Sequence, residues 1–136
     1  MTADYTKPLP EINDDNRLFW EGCKRHELLL QKCLRCGHLR HLGPACPQCW
    51  STEQQWVPSS GKGKVYTWIV VHQRYNRAFE DDLPYNVAIV ELEEGPRMLT
   101  RLVGVDNENV RPELPVEVSW SDITDEVTLP MFTASG

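Results

Sequence analysis

Residues 33–49 read CLRCGHLRHLGPACPQC, and this stretch decides the fold. It contains two CxxC pairs, Cys33 with Cys36 and Cys46 with Cys49, which are separated by nine residues. Two such turns can direct four thiolates at one tetrahedral ion, and zinc is the metal that this arrangement favours. Because four thiolates leave no coordination position for water, the metal is expected to be structural and not hydrolytic.

Other uses of the four cysteines fit the sequence less well. The reducing cytosol keeps thiols free, so disulfides are not expected in a chain without a secretion signal. A redox-active CxxC would be a single pair beside a strand and a helix. Iron remains the serious alternative, since tetrahedral sulfur ligation suits it as well as zinc. His38 and His41 lie between the pairs, but the complete set of cysteines favours their interpretation as surface residues.

Composition and charge limit the classes of function. A chain of 136 residues with 40% hydrophobic residues can form a real core. It contains no apolar run of 18 residues, and residues 1–10 lack the features of a signal peptide, so we expect a soluble, cytoplasmic protein that does not enter membranes. The net charge of -6 argues against tight binding to a long polyanion. Residues 28–50 nevertheless contain three Lys and Arg residues and no acid, whereas residues 106–126 contain seven acids and one base.

One helix is predicted upstream of the cysteines, over about residues 14–27. Asn13 can cap its start, and acids in its first turn and bases in its last turn complement the helix dipole. Phe19, Cys23 and His26 recur at helical spacing and form an apolar stripe. Few apolar residues precede this stripe, which makes another chain a candidate for its packing partner. Cys23 is interpreted as a small buried hydrophobe rather than a nucleophile.

Strands are predicted downstream of the cysteines. After a turn-rich link, the apolar period changes from helical to two, and Val65, Thr67 and Ile69 are predicted to share one face of the first strand. The five expected strands cover residues 65–72, 85–92, 98–103, 116–120 and 127–132. Five short strands fit a small barrel of the oligonucleotide/oligosaccharide-binding type, the OB-fold. The chain is therefore divided into a tail and helix (1–28), a metal-bearing unit (29–58) and a barrel (59–136).

Basic and aromatic residues alternate in the barrel segment. The bases are Lys62, Lys64, Arg74, Arg77, Arg97 and Arg101, and the aromatics are Tyr66, Trp68, Tyr75 and Tyr85. Such a surface could pair phosphates and stack a nucleotide base. An outer barrel face with the aromatics turned inward explains the pattern equally well. The sequence shows no phosphate-binding glycine loop and no recognisable catalytic constellation, so no catalytic residue is predicted.

In its order of motifs, the chain resembles the DUF35 family over nearly its whole length. The motifs are Leu18-Phe19-Trp20-Glu21-Gly22, the two cysteine pairs, Gly63-Lys-Val-Tyr-Thr-Trp68 and Pro84-Tyr-Asn-Val-Ala-Ile-Val-Glu-Leu92. The resemblance implies a mainly β protein with an N-terminal helix, a rubredoxin-like zinc ribbon and a C-terminal five-stranded OB-fold barrel. It implies zinc ligation by the four cysteines and matches Gly37 to the glycine that closes the first turn. The second turn departs from the family pattern, because Trp50 follows Cys49 there.

The same resemblance implies a function. DUF35 members act as small partners of thiolase-superfamily enzymes in acyl-CoA metabolism, including thiolases of aromatic degradation, steroid side-chain aldolases and archaeal acetyl-CoA enzymes. We therefore expect a hetero-oligomer in which the larger partner is catalytic. This chain would help to hold coenzyme A, with Lys62, Lys64, Arg74 and Arg77 as the expected phosphate contacts. Two alternatives are a nucleic-acid-binding module, which the acidity disfavours, and electron transfer at a sulfur-ligated iron.

Overall fold

The computed structural model describes residues 7–74 and 77–135, which form one α-helix, two short 3-10 helices (Arg77–Asp82 and Asn107–Asn109) and two antiparallel sheets. The helix α1 spans Arg17–Lys24, and the strands are β1 (Leu29–Cys33), β2 (Leu39–Arg40), β3 (Gln54–Pro58), β4 (Lys62–Val71), β5 (Tyr85–Leu92), β6 (Arg97–Thr100), β7 (Pro115–Asp122) and β8 (Thr128–Ala134). Within the described ranges, no helix has both the length and the apolar character needed to cross a bilayer. The prediction of a mainly β protein with an N-terminal helix is confirmed.

Helix α1 is shorter than predicted and packs within its own chain. The Asn13 side chain accepts hydrogen bonds from the N–H groups of Asp15 (2.9 Å) and Asn16 (3.2 Å), and this turn precedes the helix. Phe19 and Cys23 are buried against β1 and β8. The expectation that another chain covers the stripe is therefore wrong. His26 also lies outside the helix, since its positive φ of 62° breaks the helical path.

The smaller sheet, in the order β2-β1-β3, carries the metal-bearing unit. Leu29, Leu30 and Gln31 of its central strand are buried, so this strand is anchored to the core. Cys33 is the last residue of the same strand. The other three cysteines lie in the loops on either side of β2. The rigid strand therefore fixes one ligand, and the loops bring the remaining ligands to it.

The larger sheet has the order β6-β5-β4-β7-β8 and curls towards closure. After β6, the N–H of Phe132 donates to the carbonyl oxygen of Arg101 (3.1 Å), and the N–H of Val103 donates to that of Phe132 (2.8 Å). Leu102 and Phe132 form an isolated parallel bridge. The result is a five-stranded, partly open barrel, which is the form that an OB-fold takes.

A β-bulge in β4 overturns the predicted facing of this strand. The register against β5 shifts between Val65 and Thr67, so Tyr66 is the additional residue. Val65 is buried, whereas Thr67 and Ile69 are exposed. The prediction that these three residues share one face is wrong, because an inserted residue reverses the alternation of a strand.

One continuous core joins all parts of the chain. Its members come from the helix (Phe19, Cys23), from the start of the ribbon (Leu28, Leu30) and from the barrel (Val65, Val90, Val116, Phe132, with six further barrel residues). One core thus contains residues from all three predicted parts of the chain. The division of the chain after residues 28 and 58 therefore stays a prediction.

Candidate metal centre

The four cysteine sulfurs meet at one point, as the spacing predicts. The Sγ atoms of Cys33, Cys36, Cys46 and Cys49 all lie within 4.8 Å of one another. The Cys33–Cys49 and Cys36–Cys46 sulfur pairs are each 3.5 Å apart. A tetrahedron with Zn–S bonds of about 2.3 Å has edges of about 3.8 Å. The sulfurs are therefore spaced as the ligands of a single tetrahedral ion, and they fill its coordination sphere.

The two CxxC turns have the same backbone hydrogen bonds. In the first turn, the N–H of Gly37 donates to the carbonyl oxygen of Cys33 at 2.9 Å. In the second turn, the N–H of Trp50 donates to that of Cys46 at 2.8 Å. Each turn then needs a residue with left-handed backbone dihedral angles after its second cysteine. The φ angle is 80° for Gly37 and 66° for Trp50. The departure from glycine at position 50 does not change the turn.

Trp50 adopts this conformation at an energetic cost. A residue with a Cβ atom is destabilised in the left-handed region by about 1–2 kcal/mol. Burial of the indole would offset that cost, but Trp50 is 80% exposed. The hydrogen bond from the Trp50 N–H to the carbonyl oxygen of Cys46 holds the backbone in the turn, whereas burial of the side chain adds nothing.

Backbone amides favour the thiolate form of two ligands. The N–H of Cys36 donates to Cys33 and lowers the pKa of that thiol to about 6, although burial opposes the shift. Burial also opposes ionisation of Cys46, but the N–H groups of Cys49 and Gln48 hold the pKa of Cys46 below its usual range. Thiolates are the form that binds a metal.

Cys36 keeps its proton among the other sulfurs. The N–H of His38 favours its thiolate, but hydrogen bonding of its S–H to the adjacent sulfur of Cys46 and burial oppose ionisation, and the pKa of Cys36 rises to about 12. A divalent cation among the sulfurs would replace this proton. The donor set and its spacing therefore fit a zinc ion.

A buried polar network supports the loop between the two turns. The side-chain oxygen of Gln31 accepts a hydrogen bond from the N–H of Gly43 at 2.9 Å. The Arg40 guanidinium donates to the carbonyl oxygen of Gly43 at 3.2 Å and to the side chain of Gln54. Only 7% of Arg40 is exposed. These supporting residues were not predicted, because a basic residue in a basic segment gives no sign in the sequence that it is buried.

The two histidines between the pairs are both half-buried, and neither belongs to the sulfur cluster found among the described residues. His41 packs edge-on against Phe19, with ring centroids 5.1 Å apart. Burial lowers the pKa of His41 to about 4, so its ring is neutral at pH 7. His41 therefore lies partly at the surface, and α1 covers part of its ring.

The four predicted coenzyme A contacts lie at the two ends of β4. Lys62 and Lys64 are at its start, whereas Arg74 and Arg77 follow its end at Val71. The strand rises about 23 Å between Lys64 and Val71. The two lysines and the two arginines therefore do not form one cluster, and a single phosphate group cannot reach both ends.

Two of these four bases already have acidic partners. Lys64 Nζ lies 3.7 Å from a carboxylate oxygen of Glu91 and 3.6 Å from one of Glu113. Arg74 pairs with Glu80 at 3.2 Å. The other two bases, Lys62 and Arg77, make no ion pair with a described residue. The structure thus leaves one uncommitted base at each end of the strand.

Two family models match the chain. The model of the ChsH2 rubredoxin-like zinc ribbon domain matches residues 20–53, and the model of the ChsH2 C-terminal OB-fold domain matches residues 56–121. The solved structure of the Ltp2-ChsH2(DUF35) aldolase contains a chain that is 42% identical, with a TM-score of 0.83, and the match covers 93% of this chain and 98% of that one. This chain belongs to the DUF35 family. The metal centre is accordingly that of a zinc ribbon, and the ion it is built to hold is structural.

Relatives of this DUF35 chain include subunits of larger enzymes. The probable enoyl-CoA hydratase alpha subunit of Thermomonospora curvata is 42% identical over 127 residues, which cover 93% of this chain and 39% of the relative. Subunit BbsA of the benzoylsuccinyl-CoA thiolase of Geobacter metallireducens is 34% identical over 73 residues, which cover 54% of this chain and 48% of that subunit. The chain therefore spans about two fifths of the first relative and about half of the second.

Proposed function

We propose that this chain is a non-catalytic accessory subunit of a thiolase-type enzyme that makes or breaks carbon–carbon bonds in coenzyme A thioesters. The observation that carries the proposal is the closed set of four sulfurs, which holds a metal for structure and leaves no position for substrate. Likeness to the Ltp2-ChsH2(DUF35) aldolase and to a benzoylsuccinyl-CoA thiolase subunit supports the choice of partner.

The remaining reactive side chains support a structural role. Cys23 is the one cysteine outside the quartet, and its burial raises the pKa of its thiol to about 12. A protonated thiol inside the core is neither nucleophilic nor accessible. His26 donates a hydrogen bond from Nε2 to the Asp122 carboxylate at 3.0 Å and stacks on Trp120, which links the chain after α1 to the barrel. The Asp122 carboxylate, at the end of β7, also accepts a hydrogen bond from the hydroxyl of Thr128 in β8. One carboxylate therefore links the segment at His26 to both strands.

The nucleic-acid alternative is not favoured. The chain is acidic, and a protein that binds a polyanion needs a basic face. The exposed ring of Tyr66, which could stack a base, is covered on one face by the Arg97 guanidinium at 3.8 Å from the ring centroid. Arg97 itself pairs with Glu91 at 3.2 Å. The aromatic and basic residues of this face therefore contact each other.

Co-expression tests the main proposal. The chain is produced together with the thiolase-like protein whose gene neighbours its own, and the mixture is separated by size. One stable complex that makes or breaks a carbon–carbon bond in a coenzyme A thioester is expected, with no turnover by this chain alone. Two proteins that elute separately, or a thioesterase or lyase activity of the isolated chain, would refute the proposal.

We also propose that this chain contacts the phosphates of coenzyme A. Among the four predicted contacts, Lys62 and Arg77 are the strongest candidates, because neither makes an ion pair with a described residue. The test compares Lys62→Glu and Arg77→Glu in the purified complex, with Lys24→Glu on the last turn of α1 as the control. Loss of a charged phosphate contact should raise KM for the thioester about tenfold, with little change in kcat. An unchanged KM in both variants would show that the partner alone holds the phosphates.

A further inference from the structure

Trp50 has no structural reason to be tryptophan. Its backbone occupies the left-handed region, where glycine is favoured, and the equivalent position of the first turn is Gly37. Its side chain is 80% exposed, so it contributes almost nothing to the core. The turn explains the backbone conformation, but it does not explain a large apolar side chain that is left exposed at a position where glycine would be less strained, and such a side chain indicates a role outside the fold.

A second apolar side chain is exposed in the first turn. Leu34 follows Cys33 and is 57% exposed, and Trp50 follows Cys49. The sulfurs of Cys33 and Cys49 are 3.5 Å apart, so the two apolar residues leave the metal centre from adjacent ligands. Leu34 and Trp50 are called the ribbon tip below.

Exposed bases and one exposed acid border the ribbon tip. Lys32 and Arg35 lie next to it, and neither makes an ion pair with any residue of the described ranges. Glu53 lies beside Leu34, because its carbonyl oxygen accepts a hydrogen bond from the N–H of Leu34 at 3.0 Å. The exposed side chains beside the tip therefore carry one more positive than negative charge. A surface that matches the ribbon tip is apolar at its centre and places acidic side chains opposite Lys32 and Arg35.

We propose that the ribbon tip docks onto the thiolase-type partner subunit, with the Trp50 indole in an apolar pocket that is bordered by acidic side chains. This inference rests on the function proposed above and specifies the surface that would carry it. Exposed tryptophans are typical centres of binding energy at protein interfaces. The adjacent bases would speed association with an acidic partner surface.

The outer face of the barrel is the competing surface. Ile69 on β4 and Leu99 on β6 are 62% and 68% exposed, and β5 lies between these two strands. The backbone is not strained at either residue. They therefore supply a matched control instead of a second proposal.

The test replaces Trp50 by glycine in the full chain and measures binding to the purified partner subunit. Glycine accepts the positive φ, so Trp50→Gly should keep its zinc and its fold while affinity falls about 30-fold or more. Leu99→Ser, which removes an equally exposed apolar side chain, should leave affinity within about threefold. The double variant Lys32→Gln/Arg35→Gln should associate more slowly and lose most of the salt dependence of the association rate.

The outcomes separate this inference from the proposed function. If the wild-type chain binds the partner and Trp50→Gly binds equally well, the ribbon tip is not the docking surface and only this inference falls. An equal loss in Leu99→Ser would overturn it as well. If the wild-type chain does not bind the partner, both proposals fall. Trp50 fluorescence quenched by a single-stranded oligonucleotide, without partner binding, would assign the ribbon tip to nucleic acid instead.

Discussion

Replacing Cys36 by serine tests the metal centre most directly, because Cys36 is the one exposed member of the quartet. Its sulfur fills no part of the core, so the substitution leaves no cavity. Without a metal, the change should therefore alter the free energy of unfolding by no more than about 0.5 kcal/mol. Any larger loss has to come from ligation.

The expected loss follows from the four-sulfur geometry. Structural zinc sites in small domains bind zinc with about 10–16 kcal/mol. If four equivalent ligands share that free energy, the loss of one is worth about 3 kcal/mol, or more than 100-fold in zinc affinity. Because the ribbon folds around the metal, a similar loss should appear in the stability of the ribbon.

Two measurements check this prediction. Competition with a chromophoric chelator gives the zinc affinity, and thermal unfolding with and without chelator gives the linked stability. The control is Cys23→Ala, which removes the cysteine outside the quartet and should keep one zinc per chain at a stability cost of about 1 kcal/mol. The reasoning is refuted if Cys36→Ser binds zinc as tightly as wild type, or if the purified protein is red and contains iron.

Three further substitutions test the packing. Burial lowers the pKa of His41 from 6.5 to about 4, so the unfolded chain binds the extra proton between these values. The resulting stability, up to about 3 kcal/mol, is present above pH 6.5 and is lost as the pH falls towards 4. In urea unfolding, the stability of His41→Phe should fall less steeply than that of wild type as the pH is lowered. Parallel curves of stability against pH would contradict the lowered pKa of His41. Trp50→Gly should leave the urea midpoint unchanged or raise stability by up to about 1 kcal/mol, and a clear loss would show that the indole supports the fold. A Cβ at Gly63 would lie 2.5 Å from the carbonyl oxygen of Glu91, so Gly63→Ala should lose about 2 kcal/mol, whereas Gly43→Ala, with its nearest neighbour at 3.6 Å, should be nearly neutral in the same assay.

The metal centre could be predicted because its information is local. Four ligands within residues 33–49 and two identical turns need no distant part of the chain to define them. The strands were predictable for the same reason, since a period of two is a property of neighbouring residues. The predicted limits of β5, residues 85–92, agree with the observed strand.

The surfaces that meet could not be predicted from the sequence. His41 is half-buried because Phe19, 22 positions earlier, packs against it. Arg40 is buried because Gln54 and the loop at Gly43 enclose its guanidinium and accept hydrogen bonds from it. A basic or polar residue has the same appearance in a sequence whether or not distant groups enclose it.

The sequence by itself determined a zinc ribbon followed by a five-stranded barrel, since ligand spacing and hydrophobic period are set by adjacent residues. The tertiary structure alone decided that α1 is covered by its own chain, that Tyr66 bulges and reverses the faces of β4, and that Trp50 is held strained and exposed. These features depend on long-range packing and on backbone dihedral angles, which no local pattern of side chains specifies.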